Sequence, residues 1–145
     1  MTGAHAVATL GGIGRLKPAP GTWGSLVVLP AALLGPLACV VLAVAVALAG
    51  WAAVRSVLAE GGEQDPGWIV VDEAAGMLLA LVATPAGWGW LGVAAAFALF
   101  RFFDIVKPWP VSWADGLHGA TGVMLDDVIA GAMAGALLLL AGGLW

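Results

Sequence analysis

The stretch PAPGTWGSLVVLPAALLGPLACVVLAVAVALAGWAAV, residues 18–54, holds no Asp, Glu, Lys or Arg, and its apolar residues run on without polar alternation. Backbone groups in hydrocarbon must be satisfied within their own segment, and a continuous apolar run does this as helix rather than as alternating barrel strand. Two further charge-free runs, Ala74 to Phe100 and Val128 to Trp145, repeat the pattern. Each approaches or exceeds the roughly 20 apolar residues of a spanning helix. Composition agrees: 145 residues, 62% hydrophobic, 10% charged, with a mean hydropathy of +1.04. No Ser-rich, Pro-rich or like-charge linker divides the chain, so residues 1–145 are expected to form a single domain, an all-α, polytopic integral membrane bundle.

Breaks within the runs set the expected elements. Pro30, Gly35 and Pro36 divide the first into a short helix near Ser25 to Leu34 and a longer one near Leu37 to Leu58. Thr84, Pro85, Ala86 and Gly87 divide the second into helices near Asp72 to Ala83 and Trp88 to Lys107, the latter ended by Pro108 and Pro110. A last helix is expected from about Gly122 to Leu140. If each divided run is a hairpin, the charged residues gather on one side, which the positive-inside tendency makes cytoplasmic. The Asp72 to Ala83 piece would be about 18 Å long against a core of roughly 30 Å, so broken or re-entrant helices are expected. Gly131 and Gly135 form a small-xxx-small pair suited to close helix contact. Trp68, Trp88, Trp90, Trp109, Trp113 and Trp145 stand at segment ends as interfacial anchors. The N-terminus, Met1 to Gly14, is too short and weakly apolar for a signal peptide, and His5 is expected in a disordered terminus.

Several function classes are excluded. A net charge of −4 with only five Lys and Arg leaves no basic stripe for nucleic acid. The single Cys39 excludes an intrachain disulfide and a multi-cysteine zinc site.

The informative residues are carboxylates in or beside apolar sequence: Asp72 and Glu73 in WIVVDEAAGM, Asp104 in FRFFDIVKPWP, Asp126 and Asp127 in GVMLDDVIAG. Each costs roughly 2.5–3.5 kcal/mol at a bilayer centre on insertion scales, so five need partners or a wet cavity. Any of the adjacent pairs could be a helix cap instead, worth about 0.3–1 kcal/mol. Two pairs plus Asp104 in so charge-poor a chain favour a metal site, with Asp72, Glu73, Asp104 and Asp127 as ligands. Hard oxygen donors with no competing His or Cys set favour Mg²⁺. Neighbours on a helix point about 100° apart, so one acid of each pair should face the metal while the other caps or braces a basic residue.

Arg101, Asp104 and Lys107 share a helix face at three-residue spacing. They read either as an ion-pair ladder or as a phosphate grip, Arg by its fork and Lys as a point charge. The Gly-rich turn Pro20 to Ser25 could receive a phosphate on backbone N–H groups and on the Thr22 and Ser25 hydroxyls. His118, eight residues before Asp126, is a candidate for phosphate contact or proton transfer.

The strings PAPGTWGSL, WIVVDEAAGM, FRFFDIVKPWP and HGATGVMLDDVIAG, in this order and over about Gly14 to Gly135, resemble the phosphatidylglycerophosphatase A family. The resemblance implies Mg²⁺-dependent removal of the terminal phosphate from phosphatidylglycerophosphate, giving phosphatidylglycerol at the cytoplasmic face of a bacterial inner membrane. It also implies roles for Thr22, Asp72, Glu73, Arg101, Asp104, Lys107, Asp126 and Asp127, each inside a matching motif. Relatives often carry basic residues where this chain has Gly116 and His118. The chemistry expected is attack of a metal-activated water on phosphorus, or a phosphorylated aspartate on Asp126 or Asp127. The rival from another class is a cation or proton transporter, since intramembrane acids commonly mark ion routes. A CDP-alcohol phosphotransferase, suggested by Asp115, Gly116 and Asp126, lacks that family's longer acidic signature.

Overall fold

The computed structural model describes residues 2–142, and every regular element among them is helical. In chain order these are α1 (Gly3–Ala8), a 3-10 turn (Ile13–Arg15), α2 (Pro20–Leu26), a 3-10 segment (Leu29–Leu34), α3 (Pro36–Leu58) and α4 (Val71–Val82). There follow a 3-10 turn (Ala86–Trp88), α5 (Trp90–Val106), α6 (Val111–Asp115) and α7 (Gly119–Gly142). The anchor expected at Trp145 lies outside the described residues.

Two helices, α3 and α7, are long and apolar enough to cross a membrane. Only 28% of the most apolar stretch of α3 is buried, and Leu37, Val41 and Leu48 point outward from it. A helix with its apolar face turned out is stable in hydrocarbon, whereas water would leave a large exposed apolar patch. The shorter α4, 12 residues, packs against both, and α5, 17 residues, packs against α7 and α4.

Three local expectations are corrected. The helix expected near Ser25 to Leu34 is instead α2 followed by the 3-10 segment. Pro20 stands at the first helical position, where its fixed φ and missing N–H are tolerated, so helix begins five residues early. Pro30 then interrupts regular α geometry downstream. The Pro20 to Ser25 turn is therefore itself helical. The last helix starts at Gly119 and runs to Gly142, overshooting both expected ends. The N-terminus is ordered: Thr2 caps α1 by accepting from the His5 N–H at 3.3 Å, and the His5 ring stacks on Trp68 at 5.6 Å. Its Nε2 also lies 3.3 Å from Glu60.

Small residues set the packing. A Cβ on Gly131 of α7 would collide with the carbonyl oxygen of Gly76 in α4, and one on Gly135 would touch Ala83 Cβ at 3.5 Å. Advancing along one helix advances along the other, so α4 and α7 run parallel. α3 runs against them: its early residues Cys39 and Ala43 share an apolar cluster with Leu81 and Leu138, and its late residues Val54 and Val57 pack with Val71, Ala75 and Val123. α5 is also antiparallel, with Gly92 against Thr84 at the far end of α4. The first turns of α4 and α7 and the last turns of α3 and α5 thus meet at one end of the bundle.

Candidate metal and phosphate site

That end holds the acids. Asp72 and Glu73 stand in the first turn of α4, whose N-cap Val70 offers no side-chain bond. Asp126 and Asp127 lie two turns inside α7, because that helix begins at Gly119. No side chain of either pair caps a helix end. Asp72, Glu73 and Asp127 each present an oxygen, and these oxygens lie within 4.8 Å of one another. Asp72 Oδ1, Glu73 Oε2 and Asp127 Oδ1 are buried with no hydrogen-bond partner. Buried polar atoms are nearly always paired, and three carboxylates brought this close are strongly unfavourable as anions unless a cation joins them. Three convergent carboxylates with vacant lone pairs are a donor set that fits a hard divalent cation.

The basic half adjoins it. Arg101 Nη1 is paired with Asp104 Oδ2, and Nη2 donates to Thr22 Oγ1 at 3.4 Å. Lys107 ends α5 in the left-handed conformation at φ 53°, where the following Pro108 disfavours continued helix. This turns its ammonium across to α7. Nζ lies 2.9 Å from Asp126 Oδ2, 3.5 Å from Asp115 Oδ1 and 3.9 Å from Asp104 Oδ1. Burial alone would lower the Lys107 pKa. The hydrogen bond to Asp126, with the charges of Asp126, Asp127 and Asp104, overcomes that and holds it above the usual lysine range.

The two acidic pairs behave differently. Asp127 faces the trio while Asp126 braces Lys107 and accepts from the Asp127 N–H at 2.8 Å, a division that follows from the helical turn between neighbours. Asp72 and Glu73 both stay with the trio, Glu73 being long enough to bend back. Asp104, expected beside the metal, is paired with Arg101 and Lys107 and also neighbours Asp127, at the edge of the trio.

Of the other expected contacts, Thr22 joins the site through Arg101. Ser25 does not: it is fully buried and its hydroxyl donates to the Gly21 carbonyl at 2.9 Å, as befits a residue one turn on in a helix. His118 is exposed between α6 and α7. Sequence reasoning placed Gly21 only in a phosphate-receiving turn and missed its closeness to the acids and Arg101: a Cβ there would lie 2.6 Å from Glu73 Oε1 and 3.3 Å from Arg101 Nη1. Its signal was a glycine inside a helix next to the phosphate-grip candidates. It also gave Asp115 no part in this site, although any acid in so charge-poor a chain was a candidate partner for Lys107.

The model of the phosphatidylglycerophosphatase A family matches residues 6–142. The chain belongs to the phosphatidylglycerophosphatase A family. It is 41% identical over 133 residues to a protein of Haemophilus influenzae named phosphatidylglycerophosphatase A, covering 87% of this chain and 80% of that one. A protein of Escherichia coli with the same name is 44% identical over 86 residues, 58% of this chain and 49% of its own. No solved structure matches. All the residues gathered here fall within the part matched to the phosphatidylglycerophosphatase A family.

Proposed function

We propose that this chain is a Mg²⁺-dependent phosphomonoesterase that removes the terminal phosphate of phosphatidylglycerophosphate to give phosphatidylglycerol. In this reading it works as a multi-pass protein at the cytoplasmic face of a bacterial inner membrane. The observation that carries the proposal is the trio of unpartnered oxygens on Asp72, Glu73 and Asp127 beside the cations of Arg101 and Lys107. Relatives bearing the phosphatase name support the substrate. A transporter finds less support, since the acids meet at one end of the bundle rather than lining a path through it.

Asp72, Glu73 and Asp127 would hold the metal, which when bound supplies positive charge against the phosphoryl oxygens. Arg101 offers its planar fork to a phosphate dianion, and Asp104 and Thr22 keep that fork oriented. Lys107 acts as a fixed charge. With its pKa held up it keeps its proton through neutral pH, so it balances charge on the departing ester oxygen without acting as the acid. Gly21 leaves open the space between Glu73 and Arg101. Water then attacks phosphorus from the side opposite the ester oxygen as the P–O bond to the glycerol breaks; one proton of that water ends on the ester oxygen, which leaves as the alcohol, and its hydroxyl stays on phosphorus in the inorganic phosphate. Trapping an acyl-phosphate on Asp126 or Asp127 would replace this direct attack with a two-step route.

The deciding experiment is phosphate release from phosphatidylglycerophosphate by the purified protein, with Mg²⁺ and with chelator, for wild type and for Glu73→Gln, Asp104→Asn and Asp127→Asn. Release that needs metal and falls in the variants is expected. Equal rates throughout, or ion flux in vesicles without hydrolysis, would overturn the proposal.

A further inference from the structure

Below the polar site the bundle leaves an apolar cavity of about 1130 Å³, walled by the Leu29–Leu34 segment, the end of α4 and the first half of α5. Well-packed interiors leave few voids larger than a water molecule, whereas ligand sites run to about 300–1,000 Å³. Its rim carries large apolar side chains with no protein partner: Leu33 is 90% exposed and Trp90 76%.

The cavity and the polar site share their walls. α2 carries Gly21 in its first turn, against Glu73 and Arg101, and closes at Leu26, in the cavity wall. α4 carries Asp72 and Glu73 in its first turn and enters the cavity at Leu81, about 13 Å further along the helix axis. α5 leaves the cavity at Phe97 and reaches Arg101 one turn later, about 6 Å on. A molecule with a phosphate at Arg101 and Lys107 and a hydrocarbon tail aligned with α5 would place that tail in the cavity.

We infer that the cavity holds an acyl chain of the same lipid whose phosphorylated headgroup occupies the acid and base site. This rests on the phosphatase reading above. Lipid tails already sit in hydrocarbon, so the cavity adds packing and orientation rather than hydrophobic transfer. Its effect should therefore fall on how well the phosphorus is placed.

Two measurements test this and separate it from the phosphatase reading. The first reconstitutes the protein in vesicles with phosphatidylglycerophosphate bearing a diazirine in one acyl chain, and maps the label after irradiation. Label concentrated on residues 81–97, and displaced by unlabelled phosphatidylglycerophosphate but not by phosphatidylcholine, is expected. Label spread over the outer face of α3, or displaced equally by any phospholipid, would mark a bulk-lipid surface and overturn the inference. This readout needs no turnover, so it decides the cavity even where hydrolysis fails. The second compares long-chain and dioctanoyl substrates for Ala94→Trp and Ala86→Phe, which fill the cavity away from the acids. A fall in kcat/KM of about tenfold on the long-chain substrate, with the short-chain rate kept, is expected for misplacement of the reacting group. No chain-length dependence in a variant that still hydrolyses the short substrate would sink it.

Discussion

Gly76 of α4 and Gly131 of α7 meet backbone to backbone, and a Cβ on Gly131 would overlap the Gly76 carbonyl. Asp72 lies four residues before the one and Asp127 four before the other. Residues four apart on a helix share a face, so in parallel helices the glycine contact brings those two carboxylates opposite each other one turn above. The acidic trio is thus set by a packing contact that carries no charge.

Gly131→Ala should therefore loosen both the bundle and the site. Overpacking a tight contact costs typically about 1–3 kcal/mol, and here the colliding atom is backbone, which has little room to shift. Gly135→Ala should be tolerated, because its Cβ would make ordinary contact with Ala83 at 3.5 Å. Thermal unfolding in detergent would show a lower midpoint for Gly131→Ala alone. Equal midpoints would refute the packing argument.

Gly21→Ala should leave the fold in place and damage activity. The added methyl would fall 2.6 Å from Glu73 Oε1 and 3.3 Å from Arg101 Nη1, so one of those side chains must move. Misplacement by about 1 Å can cost about 10²-fold in rate. Phosphate release measured beside a thermal midpoint separates this from unfolding: a large loss of rate with a near-constant midpoint is expected.

Asp127→Asn should weaken divalent cation binding even when no substrate is present. Its Oδ1 is one of three buried oxygens without a partner, and an amide supplies less negative charge to the same position. Titration with Mn²⁺ followed by electron paramagnetic resonance should show affinity lower by about tenfold or more, or about 1.4 kcal/mol. Ser25→Ala, outside the trio, should bind as wild type does. Unaltered Mn²⁺ affinity in Asp127→Asn would remove the trio as the metal site.

The Lys107 contacts should persist through mildly alkaline pH. A lysine whose folded pKa is raised contributes stability that is fully present below its unfolded pKa of about 10.4 and is lost only as pH rises through the higher folded value. The stability difference between wild type and Lys107→Met should then persist across about pH 7 to about pH 9 rather than disappear. A difference that vanishes in that window would mean the ammonium is not held by Asp126 and its neighbours as the structure has it.

Much of the architecture was legible in the chain itself. Charge-free runs announced helices in hydrocarbon, prolines marked where they stop, and acids too costly for such surroundings named the site. Pro20 misled, since the same residue that breaks a helix interior is favoured at a first turn. The acids of α7 looked like caps only because its start, at Gly119, is set by packing and loop geometry that local propensity does not encode.

By itself, the order of residues determined that this protein is helical, membrane-embedded and equipped with a small set of carboxylates and cations, because hydropathy and ionisation cost are properties of single side chains. Only the tertiary structure decided which of those groups meet. Asp127 turns to Asp72 and Glu73 while Asp126 turns to Lys107, and Asp104 goes to Arg101. Those choices depend on the rotation and parallel approach of α4 and α7, which are fixed by backbone contact at Gly76 and Gly131 between residues far apart in the chain.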